Sequence, residues 1–178
     1  MNLRLKINDW IFNKKMSFQR YKKGYSDSDC WGLHYWLGET LPKMIKNLRD
    51  MKHGYPCDIS FEDIKRFPVE WIESETAKLE KIRTKNGYEY DLFDGFDCWY
   101  LILSRIAYCL EQSNDEITEI TNPYQEEYHD VAWLNLANEK DKIFKKYLKE
   151  EDRIFKYRDK MKNEALDLVK KYFWGLWD

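Results

Sequence analysis

Long apolar runs are missing from this chain: nowhere do about 18 apolar residues follow one another, so no segment is expected to cross a membrane as a helix. Glycine and proline are scarce, seven and four in 178 residues, which excludes collagen-like repetition. With 43% hydrophobic residues, long-range disorder is excluded as well. The opening Met-Asn-Leu-Arg-Leu-Lys has no uninterrupted apolar segment, so no secretory signal is expected. Without one, Cys30, Cys57, Cys98 and Cys109 read as reduced thiols of a cytoplasmic protein. There is no phosphate-cradling glycine loop, no Gly-x-Ser-x-Gly elbow and no Cys-x-x-Cys pair. No catalytic residue, metal or cofactor is therefore assigned.

Aromatic residues are plentiful: 8 Trp, 13 Tyr and 9 Phe. A chain of 21.9 kDa has the mass for one real core, and a compact fold would expose roughly 9,300 Å². Most rings fall at helical spacing and are expected to pack inside. Charge is unevenly spread: residues 1–25 carry seven bases against one acid, 26–139 carry 11 against 23, and 140–171 carry 12 against 7. Mutual attraction between segments explains this, and a basic face for nucleic acid at the two ends is the alternative.

The periodicity is helical throughout. Ser26–Asp29 offers N-cap oxygens, and Cys30, Leu33, Leu37, Leu41, Met44, Leu48 and Met51 follow on one stripe, with a kink expected near 38–42 from Pro42. Ser60-Phe-Glu-Asp63 resembles a capping box, and Pro68 suits a first turn that leads to Trp71, Ile72, Leu79 and Ile82. From Phe96 to Leu110 the chain is apolar nearly all round, which predicts a buried central helix near 96–111. Asn122-Pro123 restarts a helix, and Tyr124 to Trp174 contains no Gly or Pro. About 75 Å of unbroken helix is too long for a compact domain, so a break near Asn138 or a protruding helix is expected. These patterns predict an all-α, single-domain bundle of five or six helices at 25–178, with a long C-terminal helix and a basic N-terminal arm at 1–24. An overhang of the last helix would expose Phe144, Tyr147, Leu148, Ile154 and Phe155, and a homodimer through residues 140–160 would cover them.

Metal readings fail on geometry. Cys30 with His34 and His53 with Cys57 could form one set only if the two ends of a helix of roughly 30 Å met. Glu126-x-x-His129 and Asp50-x-x-His53 resemble pieces of carboxylate-bridged sites, but the further acids on facing stripes are lacking. Asp91, Asp94 and Asp97 are three apart, where a calcium loop alternates its acids.

Gly24-Tyr25-Ser26-Asp27-Ser28-Asp29-Cys30-Trp31, with Leu37, His53-Gly54-Tyr55-Pro56, Trp71 and Leu176-Trp177-Asp178, resembles a set of small uncharacterised helical proteins of tailed bacteriophages and prophages. The resemblance covers residues 24–178. Cys30 and His34 depart from its usual Leu and Asp, and it implies a phage gene and a fold but no activity. On that basis the expectation is a phage accessory protein in the host cytoplasm. It would bind a host or phage protein, with inhibition of a host defence as the suggested purpose, and nucleic acid is a further partner to consider. A virion component (capsid or tail) and a small-molecule or nucleotide-binding protein or enzyme are the alternatives. Asp27, Asp29, Trp31, His53 and Tyr55 are the candidate binding residues, provided the loop after the first helix folds back toward its start.

Overall fold

The computed structural model describes residues 3–51, 54–86, 94–133 and 137–176. They hold eight α-helices: α1 (Leu3–Lys23), α2 (Asp27–Trp31), α3 (Leu33–Met51), α4 (Phe61–Ile64), α5 (Val69–Asn86), α6 (Gly95–Ser113), α7 (Gln125–Trp133) and α8 (Ala137–Lys171). A short 3-10 turn, Phe173–Gly175, follows. Helix accounts for 81% of the described residues, with no strand among them. α2 and α4 are single turns, which leaves six longer helices in the all-α bundle.

α6 is the hub. Its apolar surface runs all round, and fourteen of its residues are buried, from Asp97 to Gln112. α3 and α8 pack on it most extensively, and α4 and α5 touch it at its other sides. Asp94 starts it by accepting a 3.0 Å bond from the Asp97 amide. Ile45, Ile64, Phe67, Met161, Ala165, Leu168 and Tyr172 complete the core around it. Burying each of the larger side chains contributes about 1.5–3 kcal/mol, so α6 organises most of the stability.

α3 continues through Pro42, whose ring is buried. Four residues back, Gly38 lets Asn114 approach: a Cβ there would meet its Nδ2 at 3.0 Å. The first helix is shorter than its pattern predicts. Gly32 closes α2, its amide bonding the Ser28 carbonyl at 3.1 Å, and α3 begins at Leu33. Ser60 makes no side-chain cap, in contrast to the expected capping box. Asp63 is buried instead and accepts bonds from Lys171 and the Tyr172 hydroxyl, tying α4 to the end of α8. Asn122 does restart the chain: its Oδ1 accepts from the Tyr124 amide at 2.9 Å and its Nδ2 donates to Glu151 at 2.8 Å. α7 then lies against α8, which is about 52 Å long. Asn138, where a break was expected, lies within α8; α7 is described to Trp133 and α8 from Ala137, and residues 134–136 lie outside the described part.

The chain exposes 13,379 Å², well above the roughly 9,300 Å² of a compact fold of this mass. The N-terminal segment is one reason. The basic segment forms a helix of 21 residues, and among longer-range neighbours it packs chiefly on α2. Gly24 ends it at φ 81°, a left-handed conformation that glycine adopts without strain, and its amide bonds the Arg20 carbonyl at 2.8 Å.

Candidate interaction faces

Asp27 and Asp29 serve the join between α1 and α2. Ser26 caps α2: its Oγ accepts from the Asp29 amide at 3.3 Å, and its own amide donates to Asp29 Oδ2 at 2.7 Å. Arg20 grips the same carboxylate with bonds of 2.6 and 2.9 Å. The Arg20 guanidinium and the Ser26 amide hold the Asp29 carboxyl far below the usual carboxylate range. Asp27 pairs with Gln19 twice, its amide donating at 2.9 Å and its Oδ2 accepting at 2.6 Å. Trp31 anchors nothing: it is 91% exposed, with Tyr21, Tyr25 and Leu33 also exposed on the elements around it.

Tyr55 lies at the far end of α3, a helix of about 28 Å, so it does not share a surface with Asp27, Asp29 and Trp31. His53 lies outside the described residues. Tyr55 sets its ring edge-on to Phe96 at 4.9 Å and against Gly95, while Pro56 abuts Gly175. Tyr55, Cys57, Asp58, Trp99 and Trp174 line a slot of about 290 Å³. The loop at 54–58 and the 3-10 turn Phe173–Gly175 thus meet here, and the Gly24–Trp31 segment stands at the opposite end of α3.

The rings are distributed differently from the expectation of core packing. Among the described residues only Phe67, Trp99, Tyr100 and Tyr172 are buried aromatics, whereas fifteen aromatic side chains are exposed. On α1 these include Trp10, Phe12, Phe18 and Tyr21, together with Ile7 and Ile11. Trp36 and Tyr35 are exposed on α3, and Trp174 is 82% exposed beyond α8.

The strip expected to pair two copies is partly covered within one chain. Tyr128 of α7 stacks on Tyr147 at 4.9 Å and on Phe144 at 5.5 Å, and Ile154 is buried. Phe144, Leu148 and Phe155 remain exposed. Further along, a groove of about 320 Å³ separates α3 from α8, walled by Leu37, Leu41, Phe155 and Leu166, with Arg158 and Lys162 at its edge.

Sequence reasoning missed Arg105, which is buried in the middle of the most apolar helix. Its guanidinium binds both oxygens of Glu164, at 2.6 and 3.0 Å, and lies 5.1 Å from the Trp71 ring centre, 5.4 Å from Tyr108 and 5.5 Å from Phe67. A basic residue interrupting a fully apolar stripe was the available signal. Arg49 of α3, partly buried and paired with Asp50 at 2.8 Å, was also missed; it donates to Ser104 at 3.1 Å and covers the Tyr100 ring. Both are internal struts. No group of three or more His, Cys, Asp or Glu side chains that could hold a metal ion occurs among the described residues, and no helix among them is long and apolar enough to cross a membrane. Compared with known proteins, the chain matches no family model, no curated protein and no solved structure.

Proposed function

We propose that this chain is a bacteriophage or prophage accessory protein that works by binding a host or phage macromolecule in the host cytoplasm, and that it serves to inhibit a host defence. The observation that supports a binding role is the set of exposed rings on α1 and α2, ending in a Trp31 that contributes almost nothing to the fold. Large aromatic side chains lose little entropy on docking and are concentrated at binding hot spots. The bases of α1 also admit nucleic acid as the partner. A small-ligand role is the second reading, favoured by the apolar groove between α3 and α8.

Tagged wild-type protein and a Trp10→Ser, Phe18→Ser, Trp31→Ser variant, recovered from phage-infected cells, test the proposal. A macromolecule held by the wild type and lost by the equally helical variant supports it. Recovery in purified particles moves the reading to a virion component. Absence of any macromolecule leaves the ligand role and ends the binding-protein proposal. The homodimer through residues 140–160 now rests on Phe144, Leu148 and Phe155. Light scattering at about 10 µM decides it, since a mass that stays near the 21.9 kDa of one chain on concentration removes that part.

A further inference from the structure

We infer that α1 is a recognition helix for an acidic groove on a partner protein, an inference that rests on the binding role proposed above and names the chemistry of the partner. The two sides of α1 are already divided. Gln19, Arg20 and Lys23 face α2 through Asp27 and Asp29, and Met16 is buried. On the opposite side Ile7, Ile11, Lys14, Phe18 and Tyr21 follow at intervals of four, three, four and three, with Trp10 beside them. Trp10 is 62%, Phe18 64% and Tyr21 90% exposed. This is the spacing by which a helix sets anchors into a groove. Fully covered, each aromatic ring would remove about 150–250 Å² from water, so Trp10, Phe18 and Tyr21 supply about 450–750 Å², and Ile7 and Ile11 bring the stripe near the roughly 800 Å² per partner of a stable interface.

Charge selects the partner. The helix holds seven bases and one acid. Arg20 and Lys23 are engaged with Asp29 and Asp27, while Lys6, Lys14, Lys15 and Lys22 pair with no carboxylate among the described residues. A second copy of α1 is a poor match, because antiparallel pairing on this stripe opposes Lys14 to Lys14 and doubles the positive charge. A lipid surface needs apolar side chains confined to one side, yet Phe12 is exposed away from the stripe. Single-stranded nucleic acid is tracked by a basic groove lined with rings, whereas α1 is a convex ridge whose Ile7 and Ile11 offer bases nothing to stack on. An apolar groove rimmed by Asp and Glu satisfies both the stripe and its flanks.

The test replaces Phe18 in the full chain with photoreactive benzoylphenylalanine, irradiates infected cells and sequences the cross-linked peptides; the same group at exposed Lys43 is the control. The expected product is a peptide of another protein with net negative charge around the cross-link. Its yield should fall at least five-fold in a Lys14→Glu, Lys22→Glu variant of unchanged helicity, and likewise when a lysate of the infected cells is irradiated in 0.5 M salt, where screening is strong. A cross-link to this same chain, to nucleic acid, to lipid or to a neutral or basic peptide would overturn the acidic-partner inference and leave the binding role standing. So would a yield indifferent to the charge reversal. No cross-link specific to position 18 would remove both.

Discussion

Replacing Glu164 with Met strands a buried guanidinium. The Arg105 side chain is 4% exposed and Glu164 25%, so water can reach the pair from one side only. Removing one partner of a fully buried ion pair costs about 3–5 kcal/mol. Access from the Glu164 side and the three aromatic rings around Arg105 lower this to about 2–3 kcal/mol. With a urea m-value of about 2 kcal/mol/M for a chain of this size, the midpoint should drop by about 1–1.5 M. The eight tryptophans, Trp71 among them at 5.1 Å from the guanidinium, report the transition by fluorescence. Arg105→Met combined with Glu164→Met should recover most of the loss, because two apolar side chains leave no uncompensated charge. If Glu164→Met shifts the midpoint by less than about 0.3 M, or the double variant is worse than either single one, the pair is not what fastens α8 to α6.

Further outcomes can be checked with the same protein. Cys30 and Cys57 are exposed and Cys98 and Cys109 buried, and burial pushes the Cys109 thiol up to about 12; Ellman's reagent at pH 8 should count two fast thiols, with the other two appearing only in denaturant. Burial pushes the Asp63 carboxyl up, but its bonds from Lys171 and Tyr172 outweigh this and leave it lowered. Its stabilisation is therefore complete above about pH 3.9, the ordinary value, and fades as pH falls below. The urea-midpoint gap between wild type and Asp63→Asn should be constant from pH 7 to 5 and narrow toward pH 3. Gly38→Ala should lose about 1 kcal/mol in thermal or urea unfolding, despite the helix propensity gained, because Asn114 Oδ1 is held by the Glu116 amide and its side chain cannot swing away.

α6 was legible because an all-round apolar surface has only one place to go, and Asn122 because its cap is local in sequence. The arrangements that the sequence concealed are long-range. Asp63 has the spacing of a capping box, but Lys171 and Tyr172 arrive from more than a hundred residues away and both bond its Oδ2. Arg105 finds Glu164 across 59 positions. Tyr128 stacks on Phe144 and Tyr147 only because α7 folds back on α8, and periodicity does not reveal which stripe meets which. The candidate residues fared unevenly for the same reason: Asp27 and Asp29 are adjacent and share one join, whereas grouping them with Tyr55 needed a loop return that α3 holds apart. The exposure of Trp31 had a visible cue, since Trp31, Tyr35 and Trp36 cannot all face one side of a helix.

The central position of α6 has a consequence for synthesis. Its partners lie on both sides of it in the chain, so helices α1 to α5 leave the ribosome with nothing to bury their apolar stripes against. At about 5–20 residues per second, α6 starts to emerge on the order of 5–20 s after the first residue, and Tyr172, which seals the core beside Trp99 at 5.5 Å, follows about 4–16 s later. Throughout that interval the nascent chain displays the rings of α1 together with those that will later be covered, and holding chaperones would meet it in that state.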